Sequence, residues 1–196
     1  MKKFEDIINL KGTLNHENYN KLKHDVKNNQ ISPFVGSGMS MPIYKTWKDT
    51  LKKIKEVSHL DQKQMKEINR MLNDNQLIPC ASKLAEYVGE SVFLDKLCSC
   101  FDKNKIDKKK LYKMAVSVLP QIFTKKIVTT NYDCILENVY GDINVRYNIV
   151  IKKRVSHELD REMRNNLIQP LLIKIHGTVD EEESIVIREE DYNEIY

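Results

Sequence analysis

The chain has 196 residues, 41% of them hydrophobic and 31% charged, with a formal net charge of +4. These values exclude a disordered chain, and the length suits one domain, or one domain with a helical insertion, that buries about two-thirds of its unfolded surface. No apolar run approaches the ~20 residues of a membrane-spanning helix, and the start Met-Lys-Lys-Phe-Glu-Asp lacks the apolar stretch of a secretion signal.

The four cysteines, Cys80, Cys98, Cys100 and Cys134, contain no CxxC pair. That spacing matches no zinc ribbon, so reduced thiols in a cytoplasmic protein without a bound metal are the expectation. The lysines are scattered between apolar positions rather than gathered in one patch, which disfavours nucleic acid as a partner. Residues 176–196 hold eight acids and one base, so the positive excess lies before them. A cationic body suits an anionic small molecule, and a solvated helical surface accounts for it equally well.

In chain order, Leu14, Tyr19, Leu22 and Val26 follow a helical spacing that the Asn28-Asn29 pair ends. The apolar run Ile31 to Val35 then reads as a strand meeting Gly36. Pro33 within it lacks a donor, a feature of sheet edges and strand starts, so the strand is expected to begin after it. From Trp47 to Val118 the period is helical. The successive stripes are Trp47/Leu51/Ile54, Met65/Ile68/Leu72, Leu84/Ala85/Val88, Phe93/Leu97/Phe101 and Leu111/Met114/Val118. They predict an insert of four or five helices whose aromatic and methionine positions pack, and no chemistry is assigned to it.

Strand patterns return at 126–129, 143–151, 171–175 and 185–187, several of them separated by helical stretches. Short apolar strands alternating with helices predict an α/β fold: a Rossmann-like parallel sheet flanked by helices, with the helical insertion at about 47–118. In such sheets ligands sit beyond the carboxyl ends of the strands, which directs attention to three turns.

The first, Phe34-Val35-Gly36-Ser37-Gly38-Met39-Ser40, is a strand entering a small-residue loop. Glycines admit a pyrophosphate close to the backbone, yet the loop lacks both the full GxGxxG and the lysine of a P-loop, so a ligand-free turn fits it as well. The second, Val128-Thr129-Thr130-Asn131-Tyr132-Asp133, precedes a helix. Asn131 or Thr130 could be a helix N-cap, and Asn and Asp at a strand end could bind sugar hydroxyls or a carboxamide. The third is Ile173-Lys174-Ile175-His176-Gly177-Thr178, where an apolar strand stops at a histidine. Many isolated histidines are structural. His16, His24 and His59 lie in polar stretches and His157 has no glycine turn, so His176 is the candidate catalyst.

Taken in order, Gly36-Ser37-Gly38-Met39-Ser40 resembles the GAGxS loop of the sirtuins, Thr130-Asn131-Tyr132-Asp133 their QNID segment, and Lys174-Ile175-His176-Gly177-Thr178 their HG turn. The TNYD form, the Pro42 to Trp47 segment and the Ile187 to Tyr192 stretch resemble bacterial sirtuin-like domains of antiviral defence proteins. The similarity covers residues 31–46 and 126–192 and leaves out the helical insert. It implies a single NAD-binding domain over residues 1–196. Gly36, Ser37, Gly38 and Ser40 would face the NAD phosphates, with Thr130 also in the nucleotide site. Asn131 would hold the nicotinamide-side ribose and the attacking water, Asp133 the carboxamide, and His176 a ribose hydroxyl.

The chemistry agrees with that assignment. Nicotinamide leaves oxidised NAD as a neutral base and needs no proton donor, so an enzyme has mainly to orient water and stabilise an oxocarbenium-like sugar. Two departures stand out. Sirtuin deacylases carry a four-cysteine zinc module after the HG turn, and here no cysteine follows His176. The chain also stops at Tyr196, before the family's elements that complete the adenosine side of the pocket, so it is expected to be incomplete at its carboxyl end.

The leading reading is a cytoplasmic NAD hydrolase that releases nicotinamide and ADP-ribose or a cyclised product. It would act as an antiviral defence effector, as a homo-oligomer or with a partner defence protein. A non-catalytic NAD or ADP-ribose sensor that controls assembly is the alternative, and a protein deacylase stands third.

Overall fold

The structure, a computed structural model, describes residues 3–10, 12–141, 148–151 and 171–195. His157 and the first part of the strand expected over 143–151 lie outside these residues. Two helices open the chain, α1 (Phe4–Ile8) and α2 (Asn15–Lys27). The Asn28-Asn29 pair ends α2 as its composition suggests, because Asn29 adopts the left-handed φ of 53° that asparagine tolerates.

Strand β1 (Phe34–Val35) begins after Pro33, and the Pro33 carbonyl still accepts the Val128 N–H at 3.0 Å. Proline is tolerated there because, among the described residues, β1 is an edge strand paired on one side only.

Between β1 and the next strand the chain is helical: α3 (Trp47–Glu56), α4 (Gln62–Asn73), α5 (Leu77–Val88) and α6 (Glu90–Cys100). The starts of α3, α4 and α6 have a local cause. The Thr46 hydroxyl accepts the Asp49 N–H, Asp61 and Gln64 form a capping box, and Gly89 at φ 89° turns α5 into α6. Their apolar stripes meet in one core, in which Leu51, Ile54, Ile68, Leu84, Phe93 and Leu97 are fully buried. Among the described residues no helix is long and apolar enough to cross a membrane.

The stripe Leu111/Met114/Val118 does not form one helix. Helix α7 (Lys108–Leu111) stops after one turn, a 3₁₀ turn spans Ala115–Val118, and α8 (Leu119–Ile122) starts anew. Pro120 has no N–H for a continuing ladder and is accepted only in a first turn, while the Ser117 hydroxyl donates back to the Met114 carbonyl at 2.8 Å. The buried set is therefore Leu111, Val116 and Leu119, and Val118 is exposed.

The sheet follows: β2 (Lys126–Thr129), helix α9 (Ile135–Gly141), β3 (Asn148–Ile151) and β4 (Leu171–Lys174). All pairings are parallel and the order is β1-β2-β4-β3, so the fold is the Rossmann-like α/β type flanked by helices. Strand β2 is flanked by β1 and β4 with Val35 opposite Thr129 and Thr129 opposite Lys174, which brings three carboxyl ends level. Ile185-Val186-Ile187, expected as a strand, is buried but joins no sheet. Its amides go elsewhere: Val186 N–H to the His176 carbonyl at 3.0 Å, and Ile187 N–H to Asp191 at 3.1 Å. A C-terminal helix, α10 (Glu189–Ile195), follows.

Burial separates two strand positions by their expected cost. Leu172 is fully buried in β4, whereas Phe34 is 66% exposed on the edge strand. Leu172→Ala is expected to lower unfolding free energy by about 2–5 kcal/mol, and Phe34→Ala by less than about 0.5 kcal/mol, both read from urea titrations.

Candidate active site

The first turn is a 3₁₀ helix over Ser37–Ser40 that follows β1. Neither Gly36 nor Gly38 has a positive φ, and a methyl group built on either meets no atom within 4 Å. The protein's own packing therefore does not require glycine at these positions. The room left beside the backbone is what a closely approaching ligand uses.

The second turn is held from β2. The Thr129 hydroxyl donates to the Val35 carbonyl at 2.8 Å and accepts the Asn131 N–H at 3.0 Å. Helix α9 starts only at Ile135, and its first N–H is taken by Asp133 Oδ1 at 3.0 Å. The capping contact therefore falls to Asp133, and not to Asn131 or Thr130 as the sequence pattern allowed.

Ser40, from the first turn, bridges the two polar residues of the second. Its hydroxyl donates to Asp133 Oδ2 at 2.7 Å and accepts from Asn131 Nδ2 at 2.9 Å. A hydroxyl has one proton. Because Ser40 gives it to Asp133, its neighbour on the other side must be a donor, which fixes which end of the Asn131 amide faces Ser40. Oδ1 is then the end of the amide turned from Ser40, on a residue that lines the cavity. All three residues are buried, at 3%, 8% and 5% exposure for Ser40, Asn131 and Asp133.

The third turn depends on Gly177, which has φ 83°. A methyl group there would lie 2.1 Å from the Ser184 carbonyl oxygen, and the Thr178 N–H is bound by Ser184 Oγ at 2.9 Å. His176 is thus presented from a turn clamped on both sides. Its ring stands edge-on to Tyr192, centroids 5.4 Å apart, and lies beside Tyr132 at 6.5 Å.

The three turns enclose one cavity of about 230 Å³. Of the residues expected at the site, Ser37, Thr130, Asn131, Asp133 and His176 line it, while Ser40 lies behind the wall and acts through Asn131 and Asp133. Gly36 and Gly38 flank Ser37 without lining it. A larger depression of about 610 Å³ is walled only by residues of the 60–74 segment, a single helix and its flank, and gathers none of this chemistry.

Four aromatic side chains complete the wall: Trp47, Phe101, Tyr132 and Tyr192. Trp47 and Phe101 belong to the helical insert, so two of the positions read there as packing have a second role at the cavity. Their helical spacing hid it, although Trp47 is the chain's one tryptophan and ends the Pro42–Trp47 segment. Lys45 and Tyr192 also line the cavity without having been singled out.

Beneath the second turn lies a buried ionic cluster. Burial pushes the Asp133 carboxyl above its ordinary range, opposed by the bonds from Ser40 and the Ile135 N–H and by the Lys174 charge. Burial raises Glu137 in the same way, again opposed by Lys174, whose Nζ lies 2.7 Å from Glu137 Oε1. One ammonium thus serves two buried carboxyls. Cys134 beside them is pushed up to about 12 by burial, which leaves it a thiol rather than a nucleophile. Among the described residues no three His, Cys, Asp or Glu side chains gather in a metal-holding group.

Fold and cavity define an α/β protein with a polar cluster beyond the carboxyl ends of adjacent parallel strands, where nucleotides bind in this architecture. Residues 125–196 match the family model described as SIR2-like domain, so the stretch that carries the second and third turns is similar to that domain. The similarity points broadly to NAD-related function. No curated protein matches the chain.

Two expectations follow. Gly177→Ala should cost at least about 1–3 kcal/mol in chemical denaturation, because it adds a clash to a left-handed backbone. Asp133→Asn turns an amide toward the Ser40 or Ile135 donor and so loses a bond, but its stability relative to wild type should be higher at pH 8 than at pH 4. A raised carboxyl pKa means that ionisation at higher pH opposes folding of the wild type alone. Urea titrations at the two pH values check this, and a difference that does not change in that direction would contradict it.

Proposed function

We propose that the cavity cleaves the bond between nicotinamide and ribose in oxidised NAD, with water as the acceptor, to give nicotinamide, ADP-ribose and a proton. The convergence of Asn131, Asp133 and His176 on one cavity, with the Asn131 amide held by Ser40, is the observation that carries this reading. The volume of about 230 Å³ lies below the roughly 300–1,000 Å³ of pockets that hold drug-sized ligands, so it suits the nicotinamide-ribose end. The phosphates would then run past Ser37, where Gly36 and Gly38 leave the backbone open.

In this scheme the aromatic wall takes the planar nicotinamide ring and excludes bulk water. Asp133, already an acceptor from Ser40 and Ile135, faces the carboxamide. Asn131 Oδ1 accepts from the attacking water or a ribose hydroxyl and so sets its approach to the anomeric carbon. The C–N bond breaks as the new C–O bond forms, nicotinamide departs neutral, and His176 takes the proton that the water loses. A cyclised product would arise if a hydroxyl of the substrate replaced the water.

In its cellular setting we read the protein as a defence effector that depletes NAD and works as a homo-oligomer or with a partner defence protein, on the strength of the motif resemblance. Nicotinamide release by the purified chain should fall about 10²–10⁴-fold in Asn131→Ala and in His176→Ala, measured by chromatography. Expression in bacteria should lower cellular NAD for the wild type only. Calorimetric binding of NAD without release would turn the reading toward a sensor. Loss of neither activity in the two variants would place the chemistry elsewhere.

A further inference from the structure

Lys174 is the last residue of β4, and only 1% of it is exposed. A charge at that depth must be paired and hydrogen-bonded. Its Nζ donates to the Asp133 carbonyl at 2.6 Å, to Glu137 Oε1 at 2.7 Å, and reaches the Tyr132 carbonyl and Thr178 Oγ1 at 3.2 Å each. The Glu137 partner explains how the charge is tolerated. It does not explain why two consecutive carbonyls of the second turn face the same ammonium. Backbone carbonyls of 132 and 133 orient the peptide planes on either side of Asp133, and through them the direction in which Asp133 leaves the main chain; Asp133 in turn is joined to Asn131 through the Ser40 hydroxyl.

From this geometry we infer that Lys174 is a positioning residue of the site: from the end of β4 it grips the Tyr132–Asp133 backbone and so aims Asp133, and through the Ser40 bridge Asn131, into the cavity. The Tyr132 carbonyl also accepts the Val179 N–H at 3.1 Å, so the same atom joins the second turn to the segment that follows His176. Thr178, two residues beyond the histidine, shares the ammonium. The grip therefore couples the two turns that carry Asn131 and His176. Glu137 balances the charge from the first turn of α9, and its Oε2 has no hydrogen-bond partner among the described residues, so one carboxylate oxygen does the pairing.

The inference rests on the hydrolase reading for its kinetic consequence but not for its structural one, and the experiment separates them. Lys174→Met alone would strand the Glu137 carboxylate and unfold the chain for a trivial reason. The paired variant Lys174→Met/Glu137→Gln removes both charges, so it is expected to melt within a few degrees of wild type. Its kcat for NAD should fall about 100-fold, as a displaced catalytic group would give, with KM changed less than about threefold. Hydrogen exchange at the Asn131 and Ile135 amides should speed up at least about tenfold while that of Leu84 and Phe93 stays the same. Glu137→Gln alone keeps an acceptor for Lys174 but removes its counter-charge, so it is expected to melt below the paired variant while its folded fraction keeps the grip and retains kcat.

A paired variant that folds, exchanges and turns over like wild type would reduce Lys174 to a packing element. If wild type itself leaves NAD intact, the hydrolase reading fails and the exchange data still decide the grip. Should the paired variant not fold, NMR of the wild-type ammonium decides instead. Slowly exchanging protons coupled to the 132 and 133 carbonyls support the grip, and protons exchanging at the solvent rate overturn it.

Discussion

Parallel pairing on both sides of β2 is the constraint on which the rest of the molecule depends. On one side the Val128 and Thr130 amides donate to the Pro33 and Val35 carbonyls, and on the other the Leu171 and Ile175 amides donate to Lys125 and Thr129. These bonds set Val35, Thr129 and Lys174 at one height across three neighbouring strands. The turns that begin at Gly36, Thr130 and Ile175 therefore open into the same space. A slip of one residue would send every side chain of the slipped strand to the opposite face of the sheet and carry one turn out of reach of the others.

That arrangement carries an electrostatic cost which the local bonds offset. Two carboxyls, an ammonium, an amide and a hydroxyl lie buried within a few side chains of one another, where unpaired polar groups are expensive. Asp133 is held by Ser40 and the Ile135 amide, while Lys174 is divided between Glu137 and the carbonyls of the second turn. A cluster of this kind adds little to stability and much to geometry. Each member has few alternative orientations that keep its bonds, which is the condition a site needs if its groups are to be in place before a substrate arrives.

The helical layer bears on the site through its ends. Trp47 opens α3 and Phe101 follows α6, and both rings face Tyr132, at 6.4 and 6.0 Å between centroids. The C-terminal segment is fastened to the same layer by Arg188, which reaches Glu90 at 2.7 Å and Asp191 at 2.9 Å, and by the Glu189 amide on Ser82. Asp191 is itself buried, yet its bonds from Arg188 and the Ile187 amide hold its carboxyl below the ordinary range. Tyr192, next in the chain, is in this way fixed against His176.

How much of this could be read beforehand differs by element. The strand-end turns were legible because glycine, asparagine and histidine interrupt apolar runs there, and the polar Asn131, Asp133 and His176 stood out for that reason. Helices α3 to α6 were legible from their 3.6-residue stripes. The 111–118 stripe misled, because spacing does not register that α7 ends after one turn and that the chain re-forms as a 3₁₀ turn before α8. The run 185–187 misled as well, because burial of an apolar triplet does not specify which partner its amides find.

By itself, then, the sequence determined the class of fold, the order of the turns and the residues in them, since these depend on local periodicity and on side-chain type. Only the tertiary structure decided that β4 enters between β2 and β3, that Ser40 bridges Asn131 and Asp133, that Trp47 and Phe101 reach the cavity, and that a lysine in a buried strand grips the loop beside it. Each of these joins residues far apart in the chain through strand order or the reach of a side chain, and neither quantity is written in the spacing of neighbouring residues.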